Sequence, residues 1–129
     1  MLPLRVIAGA VLAGGRLLLV SKRAGPGVWF LPGGKPEPGE PPLACLRREL
    51  REELGVGVAR AEPFVEVRER AALEDVPMHM TVFLVDVVGA PAPAAEIAGL
   101  AWWPRADRLR LAPAVRDHVV PALRAAGRL

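Results

Sequence analysis

The chain of 129 residues lacks asparagine, glutamine and tyrosine altogether, and it contains one cysteine (Cys45), one serine and one threonine. A single cysteine excludes a disulfide-stapled secreted domain, so a reducing cytoplasm is the expected compartment. No apolar run reaches the roughly 20 residues that a membrane-spanning helix needs, and the N-terminus lacks a signal-peptide pattern. The missing amides, with heavy use of Arg and Pro, are typical of a thermophile or of a GC-rich genome.

What the chain does contain is typical of a small globular protein. Hydrophobic residues make up 52% and charged residues 24% of the sequence, and 129 residues suit a single domain spanning positions 1–129. The formal net charge of +3 favours a polyanionic small-molecule partner. Because the arginines are scattered and no basic stripe alternates with aromatic residues, we expect no stable nucleic-acid partner. The expected assembly is a monomer or a homodimer.

The most informative segment runs from Gly34 to Val56 and reads GKPEPGEPPLACLRRELREELGV. It matches the pattern G-x5-E-x7-R-E-U-x-E-E-x-G-U, in which U is a bulky aliphatic residue, and we call this segment the box. Every fixed position is filled, at Gly34, Glu40, Arg48, Glu49, Leu50, Glu52, Glu53, Gly55 and Val56. A complete match of this length predicts both a local structure and a chemistry.

Helix geometry explains what this spacing builds. Pro41 and Pro42 suit the first turn of a helix, where a missing N–H costs nothing, and Gly55 suits the position that ends one. At about 100° per residue, one face carries an apolar stripe of Leu43, Leu46, Leu50 and Leu54. An adjacent arc carries the carboxylates of Glu49, Glu52 and Glu53, spaced i, i+3 and i+4. We therefore expect buried leucines with three carboxylates at the edge of the buried face.

Two interpretations of these carboxylates compete. A solvated acidic face, partly neutralised by pairs such as Arg48 with Glu52, is the common one for a Glu-rich helix. Glu40 lies just before the helix, and the backbone of Gly33 and Gly34 can approach closely and leave a carbonyl free to ligate. Hard oxygen ligands with open positions suit Mg²⁺, or Mn²⁺, bridged to substrate phosphates. This context favours a site for divalent metal and pyrophosphate.

The rest of the chain alternates strands, loops and helices without a linker or a repeat. A Gly14-Gly15 turn predicts a hairpin. The predicted strands are Leu4 to Leu12, Leu17 to Ser21, Trp29 to Leu31, one or more within Val56 to Glu69, Met78 to Val88 and Ile97 to Trp103. Loops are predicted at 71–76 and 89–95. A second helix is predicted to begin near Pro113, with a kink or an early stop at Pro121.

The complete pattern and this order of elements resemble the Nudix hydrolases. The resemblance covers essentially the whole chain, and the phrase FLPGGKPEPGE at 30–40 is most similar to the MutT-like branch. It implies an α/β fold in which a mixed β-sheet lies between helices, an α/β/α sandwich. It also implies Mg²⁺-dependent hydrolysis of a nucleoside diphosphate linked to another moiety, by attack of a metal-activated water on one phosphorus.

The resemblance also assigns roles to the carboxylates of the pattern. Glu52 and Glu53 are the expected metal ligands, assisted by the Gly33 carbonyl. Glu49 is either a ligand or the general base. Glu40 is expected close to the metal, with a water between them.

Two further residues complete the expected site. Arg48 is expected to orient the glutamates, since an i, i+4 pair with Glu52 is available. Glu96 follows a Pro/Ala loop and precedes Trp102 by six residues, which is where MutT-like proteins place an extra metal-binding Glu. Its alternative is an ordinary surface acid.

Candidates for substrate binding lie beside the pattern. Lys22 and Arg23 end a strand where MutT-like proteins contact substrate phosphates with a basic residue, and Arg23 is the chosen candidate. Lys35, directly after the glycines, is similarly placed, and Gly34 is expected to let the backbone approach the phosphates. Trp29 is interpreted as a core residue rather than a base-stacking platform.

The residues outside the pattern leave the substrate open. MutT-like proteins that read oxidised guanine use an Asn near the start of the last helix, where this chain has Val115-Arg116-Asp117. The Tyr of the diadenosine polyphosphate branch is absent, and Ala71-Ala72 replace the Pro of the ADP-ribose branch. Hydrolysis of a (d)NTP to (d)NMP and pyrophosphate is therefore predicted, with ADP-ribose or another nucleotide sugar as the alternative substrate. Two other hypotheses are a catalytically silent nucleotide sensor and a hydrolase of RNA 5′ ends, which would need a basic groove.

Overall fold

The structure is a computed structural model that describes residues 2–129. Its seven strands are β1 (Leu4–Ala13), β2 (Arg16–Lys22), β3 (Gly25–Phe30), β4 (Gly33–Gly34), β5 (Gly57–Arg70), β6 (Pro77–Val88) and β7 (Ile97–Trp103). The helices are α1 (Pro42–Leu54) and α2 (Val120–Ala125), and a π-helical turn, Val115–Val119, leads directly into α2. No helix within residues 2–129 is long and apolar enough to cross a membrane.

The strands form one open, mixed sheet in the order β3-β2-β1-β6-β5, with β4 beside β1 and β7 beside β2. Only β1 and β6 run parallel, over eight paired positions from Leu4↔Met78 to Val11↔Val85, and the other pairs are antiparallel. The β1–β2 hairpin closes through Gly14-Gly15, both at positive φ, as the sequence predicts. β4 adds only two residues to the edge of β1, and this short pairing carries the glycines to the start of the box.

Two apolar clusters cover the two faces of the sheet. On one face the buried residues of α1 pack on alternate residues of the central strands, Ile7, Val11, Leu18, Val20, Phe83 and Val85. On the other face the second helical segment packs on the intervening residues, Ala8, Ala10, Leu17, Leu19, Met80 and Val82. The predicted α/β/α sandwich is therefore confirmed, with the box helix alone on one face.

Some elements differ from those predicted: β3 begins four residues before Trp29, and the two-residue strand β4 is not among the predicted strands. Leu43 is 38% exposed although it falls on the apolar stripe, because it lies in the first turn of α1, where the helix is not covered. In agreement with the one or more strands predicted within Val56 to Glu69, residues 57–70 form a single long strand, and Pro63 is tolerated there at a register shift. Of the kink or early stop predicted at Pro121, the early stop does not occur, because the π-helical turn at Val115–Val119 leads directly into α2 and the helix continues to Ala125.

Candidate metal and active site

Local sequence signals fix both ends of the helix α1. Pro41 is its N-cap in an extended conformation, and Pro42 occupies the first turn. Gly55 closes it at φ 67°, and its N–H donates to the Arg51 carbonyl at 3.0 Å. Both outcomes confirm the predicted helix boundaries. Because the apolar stripe faces the sheet, the carboxylates nearest that stripe are carried into the protein.

Glu53 is the most buried carboxylate of the described residues, at 1% exposure. Its Oε1 accepts a hydrogen bond from the backbone N–H of Gly33 at 2.9 Å, which ties α1 to β4. Its Oε2 is buried without a hydrogen-bond partner. Burial raises the pKa of Glu53 to about 8, against the lowering effect of the Gly33 N–H. A buried carboxylate with one unsatisfied oxygen therefore faces the interior of the site.

Glu49 lies one turn before Glu53 and packs against the backbone of Gly34. A Cβ at Gly34 would lie 2.4 Å from the Glu49 carboxyl carbon, so only glycine leaves room for this carboxylate. Arg48 donates to Glu49 Oε1 at 2.9 Å. The pKa of Glu49 is nevertheless raised, because burial outweighs the favourable effect of the Arg48 charge.

Glu96 reaches this pair from the loop before β7. The loop is fixed to the end of α1, since Ala94 N–H donates to the Glu53 carbonyl at 2.9 Å. On its other side, Arg23 N–H donates to the Glu96 carbonyl at 2.9 Å. One carboxylate oxygen from each of Glu49, Glu53 and Glu96 lies within 4.8 Å of the others, a spacing that would suit a shared cation.

Arg48 connects the remaining carboxylates of the box. Its guanidinium binds both oxygens of Glu40, at 2.8 and 2.9 Å, and also donates to Glu52 at 3.3 Å. A further hydrogen bond of 3.1 Å goes to the Lys35 carbonyl. The hydrogen bonds from Arg48 lower the pKa of Glu40 to about 2. Arg48 thus joins the loop before α1 to the outer side of the helix.

A cavity of about 340 Å³ opens beside the three glutamates. At one end it is lined by Gly33, Gly34, Glu49 and Glu96, together with the cationic side chains of Lys22 and Lys35. Its remaining wall is largely apolar and includes Leu4, Val6, Leu31, Met78, Met80 and Val115. The loop after β5 adds Ala71 and Ala72 to the lining, together with the charged residues Arg70 and Glu74. The cavity therefore has a charged end at the glutamates and a largely apolar wall that Arg70 and Glu74 interrupt.

The structure brings together only part of the predicted site. Glu49, Glu53 and Glu96 meet, and Gly33 and Gly34 lie beside them. The Glu52 side chain is 53% exposed and lies outside this group, so its role as a metal ligand stays a prediction. Glu40 is likewise held by Arg48 rather than among the three glutamates.

Of the basic residues predicted to bind substrate phosphates, only one lines the cavity. Lys35 lines the cavity, whereas Arg23 does not; its Nε donates to the Ala95 carbonyl at 3.2 Å and so contacts the Glu96 loop. Lys22 takes the place in the cavity expected of Arg23, with its Nζ 5.0 Å from the Phe30 ring centre. A register shift between Ser21 and Lys22 turns the end of β2. No sequence signal marks that shift.

Trp29 and Cys45 do not line the cavity. Trp29 is partly buried against the core, in agreement with its predicted packing role. Cys45 is fully buried, and burial raises the pKa of its thiol to about 11, so it is not an activated nucleophile.

Comparison with known proteins agrees with this geometry. The family model described as the NUDIX domain matches residues 3–123. The chain is 35% identical over 100 residues to a protein of Mycobacterium tuberculosis provisionally named 8-oxo-dGTP diphosphatase 2, covering 75% of this chain and 70% of that protein. It is 32% identical over 116 residues to the CTP pyrophosphohydrolase of Escherichia coli, covering 86% and 84% of the two chains.

A solved structure shows the same architecture. The MutT NUDIX hydrolase from Burkholderia pseudomallei superposes with a TM-score of 0.80 at 29% identity, covering 96% of this chain and 98% of that one. The complete box, the mixed sheet between helices and these matches lead to one conclusion: the chain belongs to the Nudix family, in its MutT-like branch, and is a hydrolase of phosphorus-containing anhydrides.

Proposed function

We propose that the protein is a Mg²⁺-dependent pyrophosphohydrolase that converts a (d)NTP to a (d)NMP and pyrophosphate, with residues 1–129 acting as one catalytic domain. The observation that carries this proposal is the unsatisfied Oε2 of Glu53, buried within 4.8 Å reach of carboxylate oxygens from Glu49 and Glu96. Three carboxylates held this close repel one another and cost desolvation energy unless a cation or protons compensate them.

The donor set fits a hard divalent cation. The available ligands are carboxylate oxygens, with the Gly33 backbone alongside, and no described His or Cys side chain joins the group. Oxygen-only sites of this kind suit Mg²⁺, and Mn²⁺ as a substitute. When bound, the ion supplies positive charge against the phosphate oxygens and a Lewis acid for the hydrolytic water.

The other side chains of the site bind the substrate phosphates, hold the glutamates in position or contact the base. Lys22 and Lys35, at the charged end of the cavity, bind phosphate oxygens that extend past the glutamates. Arg48 is a positioning residue: its bonds to Glu40, Glu49 and the Lys35 carbonyl hold the box loop against α1. The largely apolar wall contacts the base, and Met78 and Met80 are its adaptable part.

The relatives support a nucleoside triphosphate as the substrate class. The names of the Mycobacterium and Escherichia proteins both specify hydrolysis of nucleoside triphosphates, and both alignments cover at least 75% of this chain. The lack of an Asn in the last helix, where Val115 lines the cavity, argues against selective recognition of oxidised guanine.

A nucleotide panel tests the proposal directly. Purified protein is incubated with each canonical NTP and dNTP, 8-oxo-dGTP, ADP-ribose and a UDP-sugar, in Mg²⁺, Mn²⁺ or EDTA, and the products are identified by chromatography. We expect (d)NMP and pyrophosphate from the triphosphates, in the presence of metal only. Turnover of ADP-ribose without turnover of any triphosphate would show that nucleotide sugars are the substrates. Binding of nucleotides without turnover would identify a sensor domain.

A further inference from the structure

The loop between β5 and β6, residues 71–76, places a carboxylate on the largely apolar wall of the catalytic cavity. Ala71, Ala72 and Glu74 of this loop line the cavity, together with Arg70 at the end of β5. The other acid of the loop, Asp75, lines a neighbouring hollow of about 270 Å³ instead. The two acids therefore face different spaces, and Glu74 faces the space proposed for the nucleotide.

Both chain neighbours of Glu74 are held by contacts. Leu73 packs directly on the backbone at the start of β3, since a Cβ added to Gly25 would lie 2.3 Å from the Leu73 side chain. Asp75, at φ 55°, donates its backbone N–H to the carbonyl four residues earlier at 2.9 Å. The Asp75 carboxylate also accepts a hydrogen bond from Arg70 Nε at 2.7 Å. Glu74 is therefore presented to the cavity from a turn that is fixed on both sides.

The charge of Glu74 is not compensated by the protein. Arg70, the other charged residue of this wall, is compensated by its 2.7 Å ion pair with Asp75. Glu74 forms no side-chain hydrogen bond or ion pair with any residue that the structure describes. An ionised carboxylate accepts hydrogen bonds and donates none. A ligand group that donates a hydrogen bond is therefore favoured beside Glu74, and a carbonyl oxygen is disfavoured there.

The loop lies far enough from the glutamates to meet the base of a nucleotide. Across β1, Gly34 is level with Thr81 of β6, whereas Arg70 is level with Pro77 at the start of β6. Four residues along the strands and three strand spacings across the sheet therefore separate Gly34 from Arg70, on the order of 20 Å. The base is the part of a nucleotide furthest from its terminal phosphates. A nucleotide that lies along the cavity with its phosphates at the glutamates directs its base towards the loop.

Bases differ in the group that they present to such a carboxylate. Cytosine carries an exocyclic amino group at C4 and adenine carries one at C6, and both groups are hydrogen-bond donors. Uracil, thymine, guanine and hypoxanthine carry a carbonyl oxygen at the corresponding carbon, which is an acceptor. Acceptance of a hydrogen bond from the amino group of cytosine is a recurring role of glutamate in the recognition of bases.

We propose that Glu74 is a specificity-determining residue that accepts a hydrogen bond from this amino group, so that nucleotides of cytosine and adenine are preferred over those with a carbonyl oxygen there. This inference rests on the proposed pyrophosphohydrolase function and names the bases that its site selects. Because Glu74 is exposed, water competes for its carboxylate and limits the expected preference to about 10-fold.

Two matched pairs of substrates test the proposal. CTP and UTP differ at C4 and at the adjacent ring nitrogen, and ATP and ITP differ in the same way at C6. Each pair shares one triphosphate and one ribose, so the ratio of kcat/KM within a pair cancels effects on phosphate or metal binding. We expect a ratio of about 10 in favour of the amino base in wild type and in the control Glu62→Lys, which changes an exposed carboxylate of β5 outside the catalytic cavity.

Two substitutions at the same position have opposite expected effects on these ratios. The amide of Glu74→Gln can donate as well as accept, so both ratios should approach one. The ammonium group of Glu74→Lys can only donate, so this variant should favour UTP and ITP. Ratios near one in wild type, or ratios unchanged in both variants, would overturn the inference. An equal loss of kcat/KM for all four substrates would overturn it as well, because Glu74 would then act on the ribose, the phosphates or the fold.

A binding measurement separates failure of this inference from failure of the proposed function. Isothermal titration calorimetry of CMP and UMP in EDTA needs neither metal nor turnover. We expect CMP to bind about 10-fold more tightly than UMP to wild type and equally tightly to Glu74→Gln. That result without hydrolysis of any triphosphate would uphold the role of Glu74 and reject the proposed function. Hydrolysis of triphosphates with equal binding of CMP and UMP by wild type would do the reverse.

Discussion

At the scale of single residues, Glu53 is the carboxylate on which the proposed chemistry depends. Replacing it in Glu53→Gln keeps the shape and an acceptor for the Gly33 N–H, but removes the charge that would hold a divalent cation. We expect kcat for nucleotide hydrolysis to fall at least ~10²-fold while the circular dichroism spectrum stays native. Glu62→Gln, an exposed carboxylate on β5, is the control. Wild-type turnover by a folded Glu53→Gln protein would reject the assignment.

The same substitution makes a prediction about pH in metal-free protein. The pKa of Glu53 is raised by burial from 4.5 to about 8. Between these values the folded state binds a proton that the unfolded state has lost, so stability falls as pH rises and the full cost is reached above about pH 8. In EDTA, Glu53→Gln should therefore have the Tm of wild type near pH 4 and an increasing advantage from about pH 5 to 8. A difference in Tm that does not change with pH would contradict the buried, protonated carboxyl.

Residue-level prediction from the sequence succeeded where helical angle alone decides. At 100° per residue Glu53 lies only about 20° from Leu46 around the helix, so its burial follows from its place at the edge of the apolar stripe. Glu52 is about 100° further round, and the structure leaves it exposed beside Arg48. The choice between Lys22 and Arg23 depends on a register shift in β2, and local irregularity of that kind leaves no mark in the residue pattern.

At the scale of elements, the two glycines of β4 have different expected effects: Gly33 matters for stability and Gly34 for activity. A Cβ at Gly33 would lie 2.1 Å from the Ile7 carbonyl oxygen, which is backbone and cannot yield. A Cβ at Gly34 would meet only the movable end of Glu49, at 2.4 Å. We expect Gly33→Ala to lower the Tm by several degrees, whereas Gly34→Ala displaces Glu49 and lowers kcat at least ~10-fold with little change in Tm. Calorimetry and steady-state kinetics on both variants check this, and the reverse pattern would show that Glu49 does not need its present position.

Elements defined by a period or by a cap could be predicted, and those defined by tertiary contacts could not. Gly55 ends α1 because only a residue at ease with positive φ continues the chain there, and that signal is local. The exposure of Leu43 depends on how far the sheet extends beneath the helix. The hydrophobic periodicity of the helix sequence does not encode that distance. Before Pro121 the backbone hydrogen bonds span five residues instead of four, as in the bond from Val120 N–H to the Val115 carbonyl. The proline ring removes a donor at this point, and the helix continues past it.

At the scale of the whole molecule, function comes from what the sheet brings together. Glu96 lies far along the chain from the box, yet the β2–β7 pairing and the loop bond to the Glu53 carbonyl set it beside Glu49.

The whole cavity also limits how sharply a base can be distinguished. Beyond Glu49, Glu96, the two lysines, Arg70 and Glu74 its wall is apolar, and the chain has no Asn, Gln or Tyr to offer a fixed amide or phenol donor–acceptor pair. Strong discrimination needs buried polar groups that the wrong substrate leaves unpaired, whereas an apolar wall separates bases by only ~1–3 kcal/mol. We therefore expect kcat/KM to vary by less than about a hundredfold among the canonical nucleoside triphosphates. Steady-state kinetics on the eight NTPs and dNTPs, with Arg60→Ala as a control for nonspecific charge effects, measures the spread. A preference above about ten-thousandfold for one base, the range that hydrogen-bonded recognition reaches, would mean that backbone groups or a charged side chain at the rim read the base directly.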